Sequence, residues 1–538
     1  MRSIKQCVFG VSFFVMSGFG SSVYADWSPP VQIFPGPSSV NPSGTPLVIN
    51  SHSSAVVGWL NGDIGLAESL SSASLFPQSS AWSTPQQIYA NSTPGFVPSF
   101  PTLSLDEFDN QVAAFGVFNF VSGFFDINAS RRVDSAPWPA PIIQTENGFP
   151  DAGSVANDEL GNVAAFLALT TTSSPPFDLT FLQLSENSSA WGTPIVIAQD
   201  TSANPVVAIK ITNGFTVLAW KISSPSLQLQ TSMFNFASQT LTPLLPVPLP
   251  PSAVDITDLE LALDSKQDAV LIYVVDNGTG TALYSSTLIA GQTAWSSPLL
   301  ISDPANDVGT ATIATDAVGN ATIVWEETIA PTQDFIRVAS LPLGGTIGPV
   351  TNLTDPTNTN AVVTEAPKVV MDSFGNAAAI WAIELPSSTI QVSSKAIGQN
   401  WTTPETLSIS GVSPLIALSD QGTAVATWID EISSILFGTR NLFLFPLSSP
   451  SQFVGTVEKN EFLTQKTYFL NMQWDPSLAP NISYYQIFRN GQLIATIPGT
   501  GPFDVLQHIG SKNVKDSYTL VATASNGNKN PPVPLVIK

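Results

Sequence analysis

Cysteine is almost missing from this chain: its 538 residues hold one, Cys7. Beyond that position disulfides and thiolate metal ligands are excluded. A secreted eukaryotic protein of this length would ordinarily carry disulfides, so the composition points to a bacterial envelope or secreted protein. Histidine is nearly as scarce. His52 and His508 lie in different halves of the chain without ligand-like neighbours, which excludes a histidine metal centre and a Ser-His-Asp triad. Basic charge is thin too. Eighteen Lys and Arg stand against 40 Asp and Glu, a net charge of −22 that repels phosphate backbones and anionic lipid heads, so nucleic acid is not an expected partner. Neither a G-x-S-x-G elbow nor a Gly-rich phosphate loop occurs.

Long apolar runs are confined to the start. "MRSIKQCVFGVSFFVMSGFGSSVYA" has Arg2 and Lys5, an apolar stretch and small residues before Asp26, the pattern of a signal peptide spanning 1–25. No later stretch reaches the roughly 18 apolar residues a membrane helix needs. The expected product is exported (secreted, periplasmic or on the cell surface), monomeric, and without an integral membrane segment. Without Arg2 and Lys5 its net charge is −24, from 16 basic and 40 acidic residues.

What is present is a repeat. The block "DSFGNAAAIW" (372–381) recurs as "DAVGNATIVW" (316–325), "DELGNVAAFL" (158–167) and "DEFDNQVAAF" (106–115), and more weakly at 50–59, 211–220, 264–273 and 419–428. Position ten is Trp, Phe, Leu or Tyr in all eight. Each block follows a short apolar stretch such as "LELAL" or "PKVVM", and alternation on both sides of a Gly- or Asn-centred turn predicts a β-hairpin. A second marker, W-x-x-P-x-x-apolar, begins at Trp27, Trp82, Trp138, Trp191, Trp295 and Trp401, with decayed copies at 241–247 and 347–353. Proline assigns it to an edge strand.

Each period therefore reads as four strands. The expected fold is all-β: a β-propeller of four-stranded blades over 26–448, eight-bladed with seven as the alternative, whose N-terminal strand at 27–33 completes the last blade. After "FPLSSPSQ" (445–452) the period is lost. "YFLNMQW" (468–474), "SYYQIFRNGQLIATI" (483–497) and "SYTLVATASNG" (517–527) resemble fibronectin type III modules, on Trp474, Tyr485-x-Ile487 and Tyr518-x-Leu520-x-Ala522. The resemblance implies a C-terminal β-sandwich over 449–538, with Tyr518 as a tyrosine corner and a spacer or accessory role.

Asp372 is the carboxylate that invites a catalytic or metal-binding reading. An acid at position one recurs in five of the eight blocks, which suits a turn that needs a side-chain acceptor and not a reaction centre. No metal or cofactor is expected; Ca2+ is the sole candidate, at these turns. The turns also resemble sialidase Asp-boxes loosely, but the spacing differs and the propeller offers only Arg131, Arg132, Arg337 and Arg440 for a substrate carboxylate. No catalytic residue is assigned. The candidate ligand-binding residues are acids that follow position ten or lie in long polar connections, at the end opposite the hairpin turns: Asp276, Asp303, Asp307, Glu326, Glu327, Asp355, Glu365, Glu384, Asp430 and Glu431. The expected function is recognition of a protein or glycan through that end. The alternatives are a carbohydrate-active hydrolase using a carboxylate pair there and a purely structural envelope protein.

Overall fold

The computed structural model describes residues 27–34, 40–41, 45–61, 69–77, 79–90, 96–119, 123–171, 176–200, 205–330, 333–354, 362–384, 387–441, 450–462, 465–477, 482–509, 516–524 and 533–537. The proposed signal segment lies outside them. Among these residues the chain is all-β and antiparallel sheets follow one another in sequence. Seven lie at 40–90, 96–147, 149–200, 207–247, 255–300, 307–352 and 362–408; the eighth joins 412–441 to Val31–Gln32. They are called sheets 1 to 8 below. Each is four strands deep, sheets 1 and 4 having one strand position split in two.

The first strands form the inner ring. Leu47–Ile49, Phe96–Leu105, Phe149–Asn157, Val207–Thr212, Asp255–Leu263, Asp307–Thr315, Val362–Met371 and Val412–Leu418 each touch the next, and the last touches the first. Sheets arranged radially around an axis in this way make a β-propeller. The ends are joined by backbone pairing of Val31 with Gly438 and Gln32 with Phe437, flanked by Ser28 N–H to Arg440 O at 2.9 Å and Ile33 N–H to Leu436 O at 2.8 Å. The N-terminal strand thus covers an edge that would otherwise stay open.

Position ten explains what holds the ring together. Trp59, Phe115, Leu167, Trp220, Tyr273, Trp325, Trp381 and Trp428 are all buried, and each lies in a cluster shared with the preceding sheet. A large side chain at this point fills the wedge between two twisted sheets, where burial is worth about 1.5–3 kcal/mol per residue. The W-x-x-P tryptophans add an outer latch to the preceding sheet. Trp138 Nε1 donates to Ser72 Oγ at 3.0 Å, Trp191 Nε1 to Ile142 O at 3.0 Å and Trp295 Nε1 to Thr231 Oγ1 at 2.7 Å.

The hairpin turns follow one plan. Asp372 Oδ1 accepts from the backbone N–H groups of Phe374 (3.0 Å) and Asn376 (2.9 Å), and its Oδ2 accepts from Asn376 Nδ2 at 2.6 Å. Asp106 and Asp316 do the same, and Asp264 accepts from the N–H groups of Lys266 and Asp268. Gly375 at φ 91° supplies the left-handed residue this turn requires. Asp372 is a turn residue.

The C-terminal segment forms two further four-stranded sheets, one from Ser451–Phe462, Gln465–Asp475, Asp504–Ile509 and Val536–Ile537, the other from Ile482–Arg489, Gln492–Pro498, Tyr518–Ala524 and Val533–Pro534. One core unites them around Trp474, Tyr485 and Tyr518. Asn490 (φ 48°) and Gly491 (φ 81°) make the two-residue hairpin. The hydroxyl expected to close a corner, that of Tyr518, has no hydrogen-bond partner among the described residues; that of Tyr485 instead accepts from Ser477 N–H at 2.9 Å.

Candidate functional site at the loop end of the channel

The eight inner strands start at the end of the ring opposite the hairpin turns, and six of them break register just inside that end. The shifts fall at Ser99/Thr102, Pro150/Ala152, Ile256/Asp258, Val308/Ala311, Val363/Glu365/Lys368 and Val412/Leu415. Bulges of this kind re-aim side chains. Sheets 5, 6 and 7 place carboxylates at this level. Asp258 and Glu365 pair with the residues that follow position ten, Val274 and Ala382, and Glu326 itself follows Trp325. Glu326 lies over Gly309, whose missing side chain makes the room: a Cβ there would stand 2.6 Å from Glu326 Oε2. One level deeper, Glu260, Thr312 and Lys368 occupy equivalent positions on the same three sheets.

Burial pushes the Asp258 carboxyl up, against hydrogen bonds from the N–H groups of Ala311 and Leu259 and the charge of Lys368. Burial likewise raises Glu260, opposed by Lys368 and Lys210 and reinforced by Asp258. Glu326 is raised by burial and by Asp334. Glu365 is raised by burial, although it accepts from Ser413 N–H at 2.7 Å and feels Lys368. Lys368 is thus the cation common to Asp258, Glu260 and Glu365. Among the described residues it makes no hydrogen bond or ion pair of its own, and no group of three or more His, Asp or Glu is placed to hold a metal ion.

The other sequence candidates are dispersed. Glu384 and Glu431 are exposed at the rim, and Ile432, next to Glu431 in sequence, is 87% exposed. Asp430 accepts from Ser433 N–H and Oγ at 2.8 and 2.6 Å; burial acts upward on its carboxyl, but hydrogen bonds from Ser433, Ser410 and Ile432 N–H together outweigh it and hold the group below its usual range. Asp276 and Asp303 tie local turns through the N–H groups of Gly278 and Ala305, and Asp307 accepts from Thr281 N–H. Asp355 lies outside the described residues. Glu327 is corrected to a structural role. At 2% exposure it has no surface to offer, and its oxygens are taken by Asn306 Nδ2, Trp325 Nε1 and, at 3.4 Å, Arg337 Nε. Sequence reasoning missed Asp258, Glu260, Lys210 and Lys368. For Glu260 and Lys368 the visible signal was a charged residue inside the "apolar" stretches "LELAL" and "PKVVM".

No protein family model and no curated protein matches the chain. Several solved structures overlap it at low likeness. Polysaccharide lyase Uly1 is 7% identical, covers 78% of this chain and 100% of its own, and superposes with a TM-score of 0.43. A protein of unknown function from Dyadobacter fermentans gives 11%, 78%, 100% and 0.39. The α-L-arabinanase of Penicillium chrysogenum, complexed with arabinobiose, gives 10%, 78%, 99% and 0.37. Likeness at this level transfers no activity, so function is argued from the site.

Proposed function

We propose that this is an exported recognition protein that seats a neutral or cationic glycan segment at the loop end of the channel, over sheets 5 to 7. The observation that carries this reading is the set of three partly desolvated carboxylates, Asp258, Glu326 and Glu365, at one level on three consecutive sheets with Lys368 beneath them. Carboxylates in such surroundings accept strongly from hydroxyl and ammonium groups, because the dielectric is low and competing water is reduced. Exposed Glu384 and Glu431 with Ile432 form the rim that the rest of the ligand crosses. We read the ring as eight blades and the C-terminal sandwich as a fibronectin type III-like spacer.

The test is a glycan array followed by calorimetry on the full chain. Glu326→Gln and Glu365→Gln weaken the best neutral or amino-sugar ligand at least tenfold with unchanged thermal unfolding. Silence across the array, or equal binding by both variants, refutes the reading.

One observation favours a second reading, glycoside hydrolysis. Asp258 and Glu260 lie two residues apart on one strand, about 6.6–6.8 Å along the backbone, and both are pushed up as a general acid must be. Inverting hydrolases separate their carboxyls by roughly 6.5–9.5 Å. Turnover of an array ligand that Glu260→Gln abolishes while binding persists would establish it.

A further inference from the structure

The hairpin-turn end carries a feature the fold does not require. Within each turn block, positions one, four and five build the turn and position ten builds the core. Position three varies: it is His52, Asn213, Lys266 and Gln421 in sheets 1, 4, 5 and 8, and Val318 (48% exposed) and half-buried Phe374 in sheets 6 and 7. In sheets 2 and 3 it is Phe108 and Leu160, 81% and 51% exposed on neighbouring turns. A phenylalanine held almost wholly in water gains nothing for the fold, and Leu160 adds further apolar surface, of the kind partners bury, on the neighbouring turn, whose Glu159 feels the charges of Glu107 and Asp106.

The patch is set in negative charge. Glu107 and Glu159 occupy position two of the same turns and Asp109 the next place after Phe108. Burial pushes Glu159 up, and Glu107, Asp158, Asp420 and Asp106 push it further, with no cation among the groups that act on it. The basic groups nearby are committed. His52 Nδ1 stands 2.9 Å from Glu107 Oε2, and Arg131 donates to the carbonyls of Gly161, Ser185 and Ser188.

We infer that the hairpin-turn end of sheets 2 and 3 is an interaction surface for a basic segment of a partner protein carrying an apolar anchor, which Phe108 and Leu160 receive while Glu107 and Glu159 meet its Lys or Arg side chains. The charge selects this occupant. A second copy of the chain brings the same acids against one another, and an anionic membrane is repelled. The surface is independent of the loop-end site.

The experiment measures fluorescence anisotropy of labelled decapeptides with the full chain: alternating Lys-Leu, Lys alone, and alternating Glu-Leu. Lys-Leu binds at least tenfold tighter than Lys alone, and Glu-Leu does not bind. Phe108→Ser with Leu160→Ser costs tenfold or more. Glu107→Gln with Glu159→Gln costs a similar factor at low salt and flattens the salt dependence. Asp504→Asn, an exposed position in the C-terminal segment, leaves the Lys-Leu affinity unchanged. Thermal unfolding of the Phe108/Leu160 variant matches the parent, since those side chains are exposed, and that of the Glu107/Glu159 variant does not fall, since it removes repulsion among neighbouring acids. Equal binding of Lys-Leu and Lys alone, binding of Glu-Leu, or unaltered affinity in the Phe108/Leu160 variant overturns the proposal. So does self-association that Phe108→Ser abolishes, which assigns the patch to a second copy.

Discussion

Substituting Asp372 by alanine separates a turn residue from a site residue. The change removes the acceptor for three donors: two backbone N–H groups at 2.9–3.0 Å and the Asn376 amide at 2.6 Å. Asp372 is 3% exposed, so water does not readily replace it. A hydrogen bond to a charged acceptor is worth about 1.5–3 kcal/mol, and each stranded donor costs about 1–3 kcal/mol. The backbone bonds that frame the turn, Asp372 N–H to Asn376 O and Gly375 N–H to Asp372 O, survive the substitution and limit the damage. A loss of about 2–4 kcal/mol follows, which in a domain of this size lowers Tm by only a few degrees. Asp372→Asn keeps one acceptor oxygen and loses about 1 kcal/mol. Urea unfolding of the full chain gives ΔΔG directly, with exposed Glu384→Ala at the far end of the same hairpin as control, expected within about 0.5 kcal/mol of the parent. A stable Asp372→Ala that loses ligand binding would refute the turn assignment, as would a destabilised Glu384→Ala.

Three further outcomes follow from the same contacts. Glu146, Glu159, Asp258, Glu260, Asp264, Glu326, Glu365 and Asp372 are all pushed up, chiefly by burial, against Asp430 and Asp516 held down. A raised carboxyl binds its proton in the folded chain at a pH where the unfolded chain has released it, so stability increases as pH falls from neutral toward the ordinary carboxylate range near 4; Tm should climb between pH 7 and 5, and a steady fall over that interval contradicts it. Deleting residues 27–34 removes buried Ile33 and uncovers the Leu436–Asn441 edge, costing at least about 3 kcal/mol and promoting association visible in sedimentation; unchanged stability and sedimentation reject closure by that strand. Arg337→Met leaves buried Glu327 its bonds from Asn306 and Trp325 but no cation, at a cost of about 3 kcal/mol by urea unfolding, and adding Glu327→Gln restores most of it; no rescue means that the pair is not what holds the two together.

The residues that build the ring were legible because they recur. A block with Asp first, Gly fourth and an aromatic tenth states both a turn and a wedge, and Trp381 and Asp372 stand where that pattern puts them. The role of the W-x-x-P tryptophans was not legible, since a hydrogen bond such as that from Trp295 to Thr231 joins residues 64 apart in sequence. The channel residues were hidden for a different reason. An inner strand packs one face on each neighbouring sheet, so it reads as continuously apolar, and a lone Glu260 or Lys368 passes as noise. Aligned on the turn, both stand four residues before the first Asp of their blocks. Asp258 and Glu365 do not align even so: the first is six residues before Asp264, the second seven before Asp372. The additional residue in sheet 7 is taken up by its double register shift, and a bulge breaks just the period on which sequence comparison depends.

Recurrence therefore separates packing from function more sharply than residue type does. At the level of Glu260 and Lys368 the other six sheets carry Pro46, Thr102, Ser154, Ala208, Thr312 and Leu415, none of them charged. A ring built for packing alone has no reason to charge two of these positions and to crowd the acids above them onto sheets 5 to 7. On the proposed reading, this asymmetry seats the ligand off the axis, against one side of the channel mouth. It also explains why the acid that first draws attention, Asp372, is uninformative about function: every sheet needs such a turn, whereas only sheets 5 to 7 need Asp258, Glu326, Glu365 and Lys368.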